Sequence, residues 1–257
     1  LEYVGGHCFD VGEHLVDDSF LSTSEPGAVS RLVIIDAANV LHGNNSVPLL
    51  EEQKVDAAYI LSLVRFFVYK GIECMVVTLH KYMLDTVTEN TFIMRRLQEL
   101  GLLMVMDRTY DDLMLFAVAG EFDGVILSED QFKAEQQRRE FMTPNVRNAL
   151  QLKVSPIYPR AAADFLPKSK WGQVSKNGHF VVDHLMRFAG STQDLRNKFF
   201  SSPARGGYRF ELVEEKYGTW LKRKDKVLKA LDDLVAKIQP IMMKTREDVP
   251  TLLPRGN

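Results

Sequence analysis

Three aspartates and one asparagine stand where a buried strand pattern gives way to a turn or a helix. Asp36 and Asn39 follow one apolar run, Asp112 opens a helical segment behind a second run, and Asp130 follows a third. The carboxyl ends of parallel strands meet at one edge of a sheet, so these side chains are expected to converge there. Crowded carboxylates repel one another unless a cation compensates them, and Mg²⁺ prefers such oxygen ligands. The pattern predicts metal-assisted phosphodiester chemistry.

Each acidic position also has a structural explanation. Asp111 and Asp112 are favoured residues for a helix cap and first turn, and Asp36 suits a turn after a strand. The clustered site is favoured because Asp36, Asp112 and Asp130 all fall on the same predicted edge.

Alternating strand and helix patterns form that edge. Residues 32–35 are a continuous apolar run, which is typical of a strand buried on both faces. Apolar residues at helical spacing over 51–70 stop at Gly71, and a helix over 91–100 stops at Gly101. Repeated alternation predicts an α/β fold with a mainly parallel central sheet flanked by helices. The other predicted elements are strands at 74–79, 102–106, 124–127 and 153–158 and helices at 112–120 and 133–141.

The chain divides into three predicted parts, a partly ordered N-terminal segment (1–30), an α/β domain (31–188) and a helical C-terminal extension (189–257). The 257 residues are 46% hydrophobic and 26% charged, which suits one sizeable core with appendages. Because the net charge is -2, a polyanion must be held by local patches or with help from partners. Two cysteines are too few for a disulfide framework, which favours a reducing compartment. The sequence contains no run of 18 apolar residues, so no contact with a membrane is predicted.

Three segments carry motifs in a shared order and spacing. They are residues 33–40 (VIIDAANV), residues 110–119, which start Tyr-Asp-Asp, and residues 124–132 (GVILSEDQF). Together they resemble the NYN (PIN-like) ribonuclease domain of the Regnase family, also called the monocyte chemotactic protein-induced protein family. The similarity covers about residues 31 to 158 and extends more weakly to 178–185.

The resemblance implies an endoribonuclease that uses Mg²⁺, or Mn²⁺ in its place, on messenger RNA or other single-stranded or loop regions, in RNA decay or small-RNA silencing. By matched position, Asp36, Asp112 and Asp130 are the implied metal ligands, Asn39 orients a water or phosphate oxygen, and Asp111 is an auxiliary acid. The expected products carry a 5′-phosphate and a 3′-hydroxyl. The resemblance also implies a homodimer or a heterodimer with a related NYN protein, delivery by RNA-processing proteins, and a cytoplasmic location.

The chain departs from the family in ways that weaken RNA capture more than chemistry. A family aspartate is replaced by Ala134, next to Glu135, and the basic loop before the Tyr-Asp-Asp start is reduced to Arg108. The Trp-Arg segment after the second strand reads LHKY at 79–82, and this chain has no Cys3His zinc finger. These losses leave open a pseudonuclease that acts as a scaffold in an RNA-processing complex. A nucleotide or phosphate hydrolase is a third class, which the absence of a glycine-rich phosphate loop disfavours.

Four further features have both a functional and a structural interpretation. The cations at 222–229 could bind phosphates, although a solvated helix face is the commoner explanation. The apolar stripe over 221–238, which stops before Pro240, fits either a helix packed on its own domain or a seam for a partner. The loop 168–171, with two lysines and a tryptophan, could stack a base but is more often plain surface. His42 is the histidine closest to the predicted site.

Overall fold

The computed structural model describes residues 21–23, 25–43, 54–106, 111–128, 151–152, 154–156, 186–188 and 192–247. The strands are β1 (Val29–Ser30), β2 (Val33–Asp36), β3 (Val55–Asp56), β4 (Cys74–Leu79), β5 (Thr88–Glu89), β6 (Leu103–Met106), β7 (Val125–Leu127), β8 (Gln151–Leu152), β9 (Val154–Pro156), β10 (Met186–Phe188) and β11 (Phe200–Ser201). The α-helices are α1 (Ala37–Gly43), α2 (Ala58–Tyr69), α3 (Thr91–Glu99), α4 (Asp111–Phe122), α5 (Thr192–Phe199) and α6 (Pro203–Glu247). A 3-10 helix spans His80–Met83.

A five-stranded parallel sheet forms the centre of the domain, in the order β6, β4, β2, β7, β8. The central strand is β2, whose Ile35 lies opposite Val76 of β4 on one side and Leu127 of β7 on the other. The chain first builds outwards from β2 through β4 to β6 and then crosses to add β7 and β8 on the opposite side. The predicted α/β fold with a parallel central sheet and a helical C-terminal region is confirmed.

The predicted strands of the sheet are found within about one residue of their expected bounds, and two other predictions are wrong. The helix predicted over 51–70 starts late, because β3 pairs with β5 and the Ala58 N–H then donates to Asp56 Oδ1 at 2.8 Å as α2 begins. The strand predicted over 153–158 corresponds to β9, which pairs antiparallel with β10, and the last strand of the parallel sheet is instead β8. The helix predicted over 133–141 lies outside the described residues.

Helices α2 and α3 end at the two glycines that the sequence marked as stops. Gly71 has φ +80° and Gly101 has φ +68°, a left-handed conformation that glycine adopts without steric conflict. The N–H of Ile72 then bonds the Phe67 carbonyl, and the N–H of Leu102 bonds the Leu97 carbonyl, both at 2.9 Å. These are Schellman-type ends, which return the chain towards the next strand.

The sheet is buried on both faces by two separate clusters of apolar side chains. Val33 and Ile35 of β2 belong to the larger cluster, which we call the broad core and which includes side chains from α1, α2, α3, α5 and α6. Ile34 belongs to the smaller cluster, the narrow core, together with Leu115 and Val118 of α4. Neighbouring residues of a strand face opposite sides, so one apolar run supplies both cores.

Helix α6 lies across the broad core, antiparallel to α2. Trp220 is fully buried and its Nε1–H donates to the Gly71 carbonyl at 3.0 Å, beyond the end of α2. Farther along α6, Asp232 accepts a 2.7 Å hydrogen bond from Nε of Arg65, a fully buried side chain in the middle of α2. Arg223 donates to the Leu100 carbonyl at 2.9 Å, so α6 also contacts the end of α3.

The apolar stripe of α6 is packed on its own domain. Leu231, Val235 and Ile238 are buried in the broad core, and Leu228 is partly buried against it. Leu221, the first residue of the stripe, is 47% exposed. The three buried residues are therefore not available as a seam for a partner. The helix itself continues through the proline that follows the stripe and ends at Glu247.

The segment from α5 to α6 shares the core of the sheet that precedes it. β11 pairs antiparallel with β1, with Val29 opposite Ser201, and the Arg31 N–H donates to the Phe199 carbonyl at 2.8 Å. Leu195 and Phe199 of α5 are buried in the broad core. In the described residues, no helix combines the length and apolar character needed to cross a membrane.

Candidate active site

The candidate site lies at the carboxyl edge of the sheet, between β2 and β7. At this point the strand order reverses, since β4 was added on one side of β2 and β7 on the other. Open parallel sheets bind their ligands at such a switch point, in the crevice outside the carboxyl ends of the strands. Asp36 is the last residue of β2, and Ser128 directly follows β7. The site residues of these two strands are therefore neighbours.

Asp36 is held there by hydrogen bonds to both of its carboxylate oxygens. The side chain is 5% exposed. Oδ1 accepts the backbone N–H of Asn39 at 3.0 Å, and Oδ2 accepts the hydroxyl of Ser128, itself fully buried, at 2.8 Å. Two bonds from different elements fix the plane of the carboxylate.

The bond from Asn39 gives Asp36 a structural role as well. Helix α1 begins at Ala37, and a side-chain oxygen that accepts the N–H three residues later is an N-cap. The structural and functional interpretations of Asp36 are compatible, because a carboxylate oxygen that accepts one hydrogen bond keeps a second lone pair. Asn39 contributes its backbone to this arrangement, and its role as an orienting amide stays a prediction.

Gly124 allows β7 to approach β2 closely enough for this contact. A Cβ at Gly124 would lie 2.9 Å from the Leu32 carbonyl oxygen and 3.0 Å from Cδ1 of Ile34. The next N–H, of Val125, donates to that same carbonyl at 2.9 Å. Only a residue without a side chain fits, and the register that follows places Ser128 beside Asp36.

Asp111 and Asp112 are the first two residues of α4. Because α4 leads from β6 to β7, it starts at the carboxyl edge, where the sequence places these residues. Helix α4 then packs against β2 and β7 on the narrow-core face. The assignment of Asp112 as a metal ligand and of Asp111 as an auxiliary acid stays a prediction.

Asp130 lies outside the described residues, two positions beyond Ser128, and so do Ala134 and Glu135. Its role as a metal ligand stays a prediction. Among the side chains that the structure describes, no group of three or more His, Cys, Asp or Glu comes together as a metal site. The basic residue Arg108 and the loop 168–171 are likewise outside the described ranges.

Other described carboxylates near this edge have structural partners. Asp56 Oδ1 accepts the Ala58 N–H and, at 3.0 Å, the side-chain amide of Asn90, which ties β3 to the start of α3. Asp85 accepts a hydrogen bond from the Thr91 hydroxyl, and this bond is the main reason that the pKa of Asp85 lies below its usual value. These side chains organise the loops that flank the site.

His42 is close to the site and is bonded to a residue that the sequence did not single out. Its Nε2 lies 2.8 Å from the hydroxyl of Tyr82, in the 3-10 helix that follows β4. Nζ of Lys81 sits 4.9 Å from the centre of the Tyr82 ring. Partial burial, and then the positive charge of Lys81, lower the pKa of His42. The imidazole is therefore mainly neutral at pH 7 and links α1 to the end of β4.

Residues 29–155 match the family model described as the Zc3h12a-like ribonuclease NYN domain. This part of the chain belongs to that family. The match confirms the predicted resemblance and covers the whole parallel sheet, while α5, β11 and α6 lie beyond it. The chain therefore carries a ribonuclease domain, whose substrate class is RNA. No curated protein matches the chain in sequence.

Ser128 and Tyr82 lie near the candidate site and have contacts that sequence reasoning missed. Ser128 could have been found, because pairing Ile35 with Leu127 places the next residues of β2 and β7 side by side. Tyr82 meets His42 across 40 positions of sequence, and no local pattern indicates that contact.

Proposed function

We propose that the NYN domain is a Mg²⁺-dependent endoribonuclease, also active with Mn²⁺, that cleaves messenger RNA or other single-stranded or loop regions in RNA decay or small-RNA silencing. Two observations support the proposal. The domain belongs to a ribonuclease family. Asp36, the first of its predicted ligands, has its carboxylate oriented by Asn39 and Ser128 at the switch point of the sheet.

The donor set of the site suits a hard divalent cation. The two hydrogen bonds to Asp36 orient its carboxylate, an oxygen ligand of the kind that Mg²⁺ prefers. Asp112 and Asp130 are the proposed further ligands, and the whole set is oxygen. A cation bound there would neutralise the scissile phosphate and lower the pKa of an attacking water.

The residues of the chain have separate proposed roles. Asp36 ends β2 and Asp112 lies in the first turn of α4, so the proposed ligands come from different elements. Asn39 orients the water or a phosphate oxygen, and Asp111 is an auxiliary acid. Ser128 acts through Asp36, whose carboxylate it holds in one orientation. The proposed products carry a 5′-phosphate and a 3′-hydroxyl.

The proposal extends to partners and location. The net charge of -2 leaves the chain without a general attraction for RNA, which supports delivery by RNA-processing proteins. The proposed location is the cytoplasm. We also propose pairing with a second NYN domain, through the α/β domain rather than the buried stripe of α6. Sedimentation of the intact chain tests pairing, and a chain that stays monomeric at high concentration would contradict it. Truncation near residue 190 is unsuitable, because it would strip Leu195 and Phe199 from the broad core.

Cleavage of an internally labelled circular RNA tests the catalytic proposal, because only an endonuclease opens a circle. Wild type, Asp36→Asn and Asp112→Asn are compared in Mg²⁺ and in EDTA, with Asp194→Asn, an exposed position on α5, as the matched control. We expect each site variant to lower the rate by about 100-fold or more, since the ligand set and its orientation are lost.

Three outcomes would contradict the proposal. Equal inertness of wild type and Asp36→Asn, not relieved by partner proteins, supports the scaffold interpretation. Cleavage that persists in EDTA would show that the reaction does not require a divalent metal ion. Release of phosphate from mononucleotides without opening of the circle indicates a phosphate hydrolase.

A further inference from the structure

The outer face of α6 carries a row of exposed lysines. Lys222, Lys226 and Lys229 are all exposed, and they follow one another at intervals of four and three residues. Side chains at this spacing lie on one face of a helix, with about 5–6 Å between neighbouring Cβ atoms. We call these three residues the lysine row.

The lysine row stands on a rigid support. The opposite side of the same stretch is anchored by Trp220, which bonds the Gly71 carbonyl, by Arg223, which bonds the Leu100 carbonyl, and by buried Val227. Asp232 fixes the next turn to Arg65. A surface presented by a docked helix holds its charges at constant spacing and loses little backbone entropy when it binds.

The cations of this stretch outnumber its carboxylates. Residues 221–230 contain five cations and one carboxylate, and Asp232 and Asp233 follow in the next turn, whereas the whole chain has a net charge of -2. The one carboxylate, Asp225, lies 3.8 Å from Lys224, outside the row. Within the part of the chain that the structure describes, no ion pair engages Lys222, Lys226 or Lys229.

The lysine row runs towards the active edge of the sheet. Helix α6 passes from Gly71, at the amino edge, towards α3, whose first turn lies at the carboxyl edge. There Nζ of Lys237 sits 4.6 Å from the centre of the Phe92 ring. At 1.5 Å per residue, roughly 22 Å of helix separates Lys222 from Lys237, and the exposed Asp233 lies between Lys229 and Lys237. The lysine row therefore lies on a helix that leads towards the edge of the sheet that carries Asp36.

We propose that the lysine row binds the phosphate backbone of the RNA substrate, away from the nucleotides at the site of cleavage. The inference rests on the proposed function, because RNA is the polyanion that the domain must hold. Three regularly spaced ammonium groups contact successive phosphates and release their counterions, without reading bases. The row supplies part of the RNA capture that the shortened basic loop before α4 lacks.

Binding of a labelled single-stranded oligouridine tests the proposal, with EDTA present to prevent cleavage. Anisotropy is measured over a range of KCl concentrations with the full chain, with Lys222→Gln/Lys226→Gln/Lys229→Gln, and with a matched control. The control, Glu211→Gln/Glu214→Gln/Glu215→Gln, changes three exposed charges on the same helix. Thermal unfolding of each variant checks that the fold is kept.

We expect the lysine variant to bind a 30-nucleotide RNA at least about tenfold more weakly at low salt. Its plot of log affinity against log salt should lose about 2 units of slope, because each single-strand phosphate contact contributes about 0.7. The control keeps the wild-type slope.

The lysine row is only a solvated face if the lysine variant binds the RNA with wild-type affinity and slope. Failure of the catalytic proposal is a separate result. If wild type and Asp36→Asn are equally inert while the lysine variant loses affinity, the RNA-binding surface stands and the nuclease assignment falls. If cleavage depends on Asp36 while the lysine variant binds RNA with wild-type affinity, the proposed RNA-binding surface is wrong and the nuclease assignment is supported.

Discussion

The two faces of the central sheet are covered unequally in the part of the chain that the structure describes. The broad core receives side chains from α1, α2, α3, α5 and α6, whereas the narrow core receives them from α4. Helix α4 also begins with Asp111 and Asp112 at the carboxyl edge. From the described residues we expect a division of labour, in which the broad core contributes more stability and the other face holds a helix with predicted site residues.

A matched pair of leucines tests this contrast and has the largest expected effect. Leu231 of α6 and Leu115 of α4 are 0% and 1% exposed, one in each core. Truncation of a buried leucine to alanine costs about 2–5 kcal/mol, depending on how far the site collapses. We expect Leu231→Ala to lower the free energy of unfolding by about 4 kcal/mol and Leu115→Ala by about 2 kcal/mol. Urea unfolding measures both.

The control for this pair is Leu221→Ala, since Leu221 is on α6 but 47% exposed. Leu221→Ala should lower the free energy of unfolding by less than about 1 kcal/mol. Equal losses for Leu231→Ala and Leu115→Ala would remove the contrast, and a larger loss at Leu115 would reverse it.

The ion pair between α2 and α6 allows the broad face to be tested by charge. Asp232→Ala removes a carboxylate partner of the fully buried Arg65 and should lower the free energy of unfolding by about 2 kcal/mol. The expected loss of free energy of unfolding is smaller than for a fully buried ion pair, because the Asp232 side chain is 40% exposed and water can replace it.

Its neighbour Asp233→Ala is the control, because that side chain is exposed on the same helix and its removal should change stability by less than about 0.5 kcal/mol. Thermal or urea unfolding distinguishes the two variants. If Asp232→Ala is as stable as Asp233→Ala, the contact with Arg65 does not hold α6 on the domain.

The smallest effect is expected at the carboxyl edge, where His42 bonds Tyr82. Burial, and then Lys81, lower the pKa of His42, so the folded protein binds this proton less readily than the unfolded chain does. Above about pH 6.5, the ordinary histidine pKa, both states are neutral and there is no penalty. Stability is lost as pH falls through that value towards the lower folded pKa.

His42→Gln should therefore flatten the decline in urea midpoint between pH 7.5 and pH 5, relative to wild type. His80→Gln, which removes an exposed imidazole in the adjacent 3-10 helix, is the matched control. An unchanged pH profile in His42→Gln would mean that protonation of this ring is not coupled to folding.

Much of the fold could be predicted because strands buried on both faces are local apolar runs. The runs at 32–35 and 74–79 needed no knowledge of their neighbours. The two-residue strands β1, β3, β5 and β11 carry no periodic signal, so their pairings were missed. Arg65 was an overlooked signal, since a charged residue that is buried inside an apolar helix needs a partner of opposite charge, which α6 supplies.

The candidate site was predictable in position and less so in its contacts. Asp36 was placed correctly because it ends a recognisable strand. Its bond to Ser128 depends on β2 and β7 being adjacent, which is a property of the sheet order rather than of either segment. The meeting of Asp36 with Asp112 and Asp130 stays a prediction for the same reason, since it depends on how separate segments are placed.

The burial of Cys74 makes this thiol a built-in reporter of native-state opening. Its Sγ lies 3.8 Å from the Val64 carbonyl, between β4 and α2, and burial raises its pKa, with a smaller contribution from Glu73. Because the thiolate is the reactive form, a thiol reagent modifies Cys74 only when the broad core separates. The rate of labelling at Cys74 thus measures, without any engineered probe, how often the helix layer lifts from the sheet.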